Sequence, residues 1–176
     1  MTQTQKMIGS SMFIALGVLI PMVFHVLLPA VFHFYGLGAV LLPMHIPVLM
    51  AGLLLGSKAG LTVGIITPLI SNLLTSMPPL VPMLPIMMLE LPVYGICCGY
   101  FYRKMNFSLL WSLAIALIVG RLASVVAVFL LTAAVNINIE PLPFITGIII
   151  TGIPGLVIQL LFVPLMVRKL EHVLKY

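Results

Sequence analysis

Glu90 and Arg121 are charged residues set deep inside long apolar runs, where a charge is costly and has a task. A carboxylate and a guanidinium can pair with each other. Arginine can also offer a fork of donors to a carboxylate, carbonyl or ring acceptor. His45, Asn72, Ser71 and Thr146 add neutral donors and acceptors from other runs. This set suits the binding of a small polar molecule. It does not suit the known ways of cleaving one, because the chain has no G-x-x-x-x-G-K-[ST] phosphate loop, no H-E-x-x-H zinc helix and no G-x-S-x-G elbow. Three acids are too few for a carboxylate proton relay, and no repeated ring or filter of a channel is visible. Three acids and scattered histidines make no metal-ligand set. Cys97 and Cys98, being adjacent, bridge poorly and read as small buried side chains, and no cofactor is implied. The plainer alternative is that Glu90 and Arg121 do no more than pair and clamp two helices. Clamp and pocket can coexist, with the pair as one wall.

The scaffold that positions these residues is a membrane bundle. The chain is 62% hydrophobic and 6% charged, with a mean hydropathy of +1.31, and no soluble exterior can be built from that. Seven of the eight basic residues, Lys6, Lys58, Arg103, Lys104, Arg168, Lys169 and Lys175, fall at the ends of apolar runs and always on alternate sides. That is the positive-inside pattern of an all-α, polytopic protein with six transmembrane helices and both termini cytoplasmic. It is not the clustered patch of a nucleic-acid binder. The spacing predicts helices over residues 7–28, 43–56, 60–76, 85–102, 107–135 and 142–167. It predicts an aromatic outer loop or re-entrant piece at 29–42 and a tight inner turn at 57–59. Pro78, Pro79 and Pro82 predict an outer loop at 77–84, and 136–141 reads as an outer turn. No cleavage pattern follows the first run, so it reads as a retained helix and not as a signal peptide. No internal repeat is found, and residues 1–176 read as a single transmembrane domain.

Helical rise converts position into depth. Arg121 comes about 21 Å above the inner end of its helix, Asn72 about 18 Å, and Glu90 about 22 Å on the same scale, in a core of about 30 Å. His45 lies near the outer end of the second helix, and Thr146 and Thr151 in the outer half of the sixth. Independent helices therefore bring Arg121, Glu90, Asn72, Ser71 and His45 to one outer layer, where polar groups face inward, and this predicts a small-molecule pocket open to the outside. Met83, Met87 and Met88 suit an adaptable apolar wall. His25 reads as interfacial. Small residues four apart, Ser11/Ala15, Gly60/Gly64, Gly95/Gly99, Ala116/Gly120 and Ala123/Ala127, allow close helix approach in lipid.

Four segments carry a family resemblance: Pro43-Met44-His45-Ile46-Pro47-Val48; Ala51-Gly52-Leu53-Leu54-Leu55-Gly56 with Gly60; Thr67-Pro68-Leu69-Ile70-Ser71; and Glu90 with Tyr94-Gly95. In this order and spacing the chain resembles, over nearly its whole length, the substrate-binding S components of energy-coupling factor (ECF) vitamin transporters. Ser11 and Ala15 look like the family's partner-docking motif, with Ser11 where Ala is more usual. The resemblance implies that the chain captures a small water-soluble vitamin or precursor outside, using segment 29–42 as part of a lid. It would then dock on a transmembrane T subunit that carries two cytoplasmic ABC-type ATPases, and topple to release substrate inside. The implied location is the bacterial plasma membrane, and the energy source lies in the partners, so the chain is not expected to be an enzyme. Pyridoxine-like, hydroxymethylpyrimidine-like, pantothenate, niacin and folate-type ligands stay open, although few aromatics argues against a large stacked ring. A self-sufficient oligomeric carrier or channel is the alternative class. A membrane-embedded enzyme would need a catalytic constellation, which is lacking.

Overall fold

A computed structural model describes residues 1–33, 36–135 and 140–174 of the chain. In lipid every backbone N–H and C=O needs an internal partner, so the apolar runs become helices. Among the described residues there are eight α-helices and no strand: α1 Gln3–Met22, α2 Leu28–Phe32, α3 Leu37–Leu41, α4 His45–Leu55, α5 Ser57–Thr75, α6 Met83–Gly99, α7 Leu109–Val135 and α8 Pro141–Leu174. π-helical turns, Val23–Leu27 and Tyr100–Lys104, extend α1 and α6. Five of these helices are long and apolar enough to cross a membrane.

The second of the six expected spans is not one long helix. At 11 residues α4 covers about 16 Å, roughly half of the hydrocarbon core. The short α3 precedes it, separated by Leu42 in the left-handed region at φ 50°. Ten of the eleven α4 residues are buried, because α1, α5, α6 and α8 wrap it. The 29–42 segment, expected as an outer loop or re-entrant piece, is largely helical on the described residues, while Phe34 and Tyr35 lie outside them.

The turn expected at 57–59 is corrected. Ser57, Lys58 and Ala59 already form the first turn of α5, and Gly56 alone makes the reversal at φ 102°, ψ 173°, a conformation open to glycine. At the other end of the chain, α1 begins before the apolar run because Thr2 and Gln5 form a capping box that satisfies its first turn. α8 likewise runs past residue 167, so Arg168–His172 remain helical.

The small-residue pairs explain the central packing. Gly60 and Gly64 on α5 face Gly95, Leu91 and Pro92 on α6, and a Cβ added at Gly60 or Gly95 would run into the other's backbone. Gly99 sits in the same way on Gly56 and Ser57. On α7, Ala116 is fully buried and Gly120 receives the ring of Tyr94 from α6. The helix directions carry Lys6, Lys58, Arg103, Lys104, Arg168 and Lys169 to one end of the bundle, and Lys175 lies outside the described residues. At this basic end Arg103 Nε donates to the Leu53 carbonyl at 2.9 Å, and the Tyr102 hydroxyl donates to Glu171 at 3.0 Å.

Candidate functional site

Glu90 on α6 is 3% exposed, and its Oε1 is a meeting point. The Tyr94 hydroxyl, one turn along the same helix, donates to it at 2.7 Å. Arg121 Nη1 reaches it from α7 at 3.1 Å. His45, the first residue of α4, brings Nε2 to 3.7 Å and lays its ring edge-on to Tyr94, with centroids 5.3 Å apart. Three helices thus converge on one carboxylate oxygen, and the ion pair is largely buried, where its attraction is stronger than in bulk water. Both nitrogens of His45, and Nε and Nη2 of Arg121, are buried without a hydrogen-bond partner. Leaving such buried polar atoms without a partner costs about 1–3 kcal/mol each, which makes the cluster a place prepared to meet another polar group.

Two glycines let the cluster exist. The Tyr94 ring lies over Gly120, one residue before Arg121. The Arg121 guanidinium rests on Gly152 of α8, where an added Cβ would sit 2.5 Å from Nη2.

The cluster forms part of the wall of a cavity of about 410 Å³, at the end of the bundle away from the basic residues. His45, Glu90 and Arg121 line it, together with Met44, Met83 and Met87. The loop after α5 contributes Met77, Pro78 and Pro79, and α8 contributes Thr151. A cavity of this size, mostly apolar with a few converging polar groups, has the character of a small-molecule site. A second groove of about 540 Å³, between α1, α4 and α8 nearer the basic end, is walled by residues such as Met12, Met50 and Phe162. Gln5 is its only polar side chain among the described residues, so it has little to orient a polar ligand.

The six residues expected to form the site divide into two groups. His45, Glu90 and Arg121 are brought together in the cavity wall. Asn72, Ser71 and Thr146 are not in that wall. Asn72 turns its side-chain amide to the Pro78 carbonyl at 2.8 Å, and so ties down the loop that does line the cavity. Ser71 is 1% exposed in the helix interior with an unpartnered hydroxyl. Thr146 is exposed and returns its hydroxyl to the Leu142 carbonyl of its own helix at 2.8 Å. Ser11 and Ala15 lie on the exposed face of α1, beside Met12 and Leu16.

Residue reasoning missed three contributors. His25, read as interfacial, lines the cavity from the π-turn after α1 and lies against Gly38 of α3. Its signal was its four-residue spacing from Pro21 and, one step earlier, Gly17, both buried on α1. Tyr94 was findable as the i+4 neighbour of Glu90. Gly152 as the seat of Arg121 had no local signal.

A family model described as "ECF transporter, substrate-specific component" matches residues 5–167 of the chain. No curated protein and no solved structure matches it at a significant level.

Proposed function

The chain belongs to the substrate-specific components of ECF transporters, a multi-pass membrane subunit for substrate capture, and we propose that it binds a small water-soluble vitamin or vitamin precursor in the cavity at the end opposite the basic residues. The observation that carries this reading is the His45–Glu90–Arg121 cluster, buried in the wall of a 410 Å³ cavity with donors to spare. In this reading the basic end faces the cytoplasm, as positive-inside sorting requires, and the cavity opens outward across the plasma membrane of a bacterium. Arg121 and His45 contact the ligand's acceptors. Glu90 holds Arg121 in place and accepts from the ligand. Asn72 acts indirectly, through the Pro78 wall, and Ser71 and Thr146 stand off it.

Uptake then requires partners. The chain has no nucleotide-binding loop, so the work of ATP hydrolysis falls to two ABC-type ATPases acting through a transmembrane T subunit. The face of α1 around Ser11 and Ala15 is the proposed docking surface, because small residues there allow close backbone approach. His45→Ala provides the test, since it leaves the Glu90–Arg121 pair in place. It should leave the protein folded and weaken the ligand by the worth of one hydrogen bond, about 0.5–1.5 kcal/mol or roughly 2–13-fold by titration calorimetry. Wild-type affinity in folded His45→Ala would remove His45 from the site.

A further inference from the structure

The charge census of the whole chain bears on what the cavity can take. The sequence places no Asp, Glu, Lys or Arg at 7–57, 59–89, 91–102, 105–120, 122–139 or 141–167. Every segment that approaches the cavity, including the α1–α4 connection and the loop after α5, therefore carries no Asp, Glu, Lys or Arg apart from Glu90 and Arg121, and its other side chains that ionise near neutral pH are those of His25, His33 and His45. Glu140 is exposed at the start of α8 and does not line the cavity. Glu90 and Arg121 are 3.1 Å apart, so their charges cancel. A ligand with a net charge would enter a low-dielectric site that offers it no free carboxylate, ammonium or guanidinium as counter-charge, and such burial is strongly unfavourable.

Resting on the reading that this cavity takes the substrate, we infer that the substrate carries no net charge and presents an acceptor-rich edge, such as an amide, ring nitrogen or hydroxyl, to Arg121 and His45. The donor surplus of the cluster, Nε and Nη2 of Arg121 and one N–H of His45, matches acceptors without needing a carboxylate. The body of the ligand lies against methionines and prolines. Among the described walls the only aromatic rings are the imidazoles of His25 and His45. Charge selectivity is therefore a sharp readout.

Two measurements on the full-length protein, purified gently from native-like membranes, decide the matter. The first is native mass spectrometry of the small molecule it retains. The second is calorimetry at neutral pH with matched pairs that differ by one carboxylate: nicotinamide and nicotinate, pyridoxine and 4-pyridoxate, panthenol and pantothenate. The expected results are a retained molecule with no net charge and, in any pair that binds, a neutral member at least about tenfold tighter. A retained ion, or a tighter carboxylate, overturns the inference while leaving substrate capture intact. No retained molecule and no binding by any probe would instead overturn the capture reading, and the inference with it. Glu90→Gln leaves Arg121 unbalanced and should move the pair ratio toward the carboxylate by at least about tenfold. An unmoved ratio in folded Glu90→Gln also overturns the inference, and should that variant fail to fold, the wild-type ratio decides alone.

Discussion

Gly152→Ala separates a ligand-binding arginine from a structural one. Gly152 is buried on α8, and a Cβ added there would meet Arg121 Nη2 at 2.5 Å, where ordinary contact begins at 3.4 Å. The guanidinium must therefore retreat by the difference, 3.4 − 2.5 = 0.9 Å. It is the tip of a long side chain, so the retreat costs little in folding. Alanine also gains up to about 1 kcal/mol of helix propensity over glycine. The 3.1 Å contact between Nη1 and Glu90, and any ligand bond from the same group, must nevertheless change. A hydrogen bond to a charged group contributes about 1.5–3 kcal/mol, so affinity should fall by about 10- to 150-fold. The control is Gly147→Ala on the same helix, where an added Cβ meets nothing within 4 Å. It should melt at the wild-type temperature or slightly higher and bind as wild type. Calorimetry for affinity and a detergent melting curve for folding read the two effects apart. If Gly152→Ala stays folded and binds as wild type, Arg121 does not contact the ligand, and the Glu90–Arg121 pair is only a clamp between α6 and α7.

Further outcomes follow from the same geometry. Gly95→Ala forces a Cβ into the backbone of Gly60, which has no rotamer with which to yield, so it should lower stability by about 1–3 kcal/mol, visible as a lower melting temperature; an unchanged melt would mean that α5 and α6 do not cross there. Ser11→Val and Ala15→Val should reduce co-purification with the T subunit and leave calorimetric affinity for ligand unchanged; full assembly and uptake in the double variant would remove this face from docking. In a background with Cys97 and Cys98 replaced by serine, Glu140→Cys should react with an impermeant thiol reagent in intact cells, and Asn106→Cys only after permeabilisation. Both side chains are exposed and sit at opposite ends of α7 and α8, so the reverse pattern would invert the bundle.

Depth and direction were not equally legible in the sequence. Depth adds up along a helix at a fixed rise, so Glu90, Arg121 and His45 could be brought to one layer without knowing how any helix is turned. Direction needs the buried stripe, and each residue turns it by about 100°. On α5 the stripe runs Gly60, Val63, Gly64, Thr67, Ser71, fixed by the glycine crossing with α6. Asn72 is one residue past Ser71, so it shares the depth of the site but faces the loop, where Pro78 takes its amide. Thr146 departs in the same way, one residue after buried Ile145 on α8. The small-residue pairs read as packing signals already contained this correction, because a glycine crossing states which face of a helix is spent on its neighbour.

What no periodicity could supply was contact between segments far apart in the chain. The break at Leu42 lets α3 sit apart from α4, and the carbonyls of Val40 and Leu41 then pack onto Gly155 of α8. Arg121 lies beside Gly152 because α7 and α8 pack at that height, which neither helix specifies alone. His25 marks the boundary between the two kinds of information. Its four-residue spacing from Gly17 and Pro21 gives the inward direction, but its place in a cavity wall depends on α3 folding back to put Gly38 against the imidazole. Chemistry that lies along one helix, such as Glu90 with Tyr94, can be read from spacing. Chemistry assembled across helices becomes readable only once the closest crossings, here the glycine contacts, fix how each helix is turned.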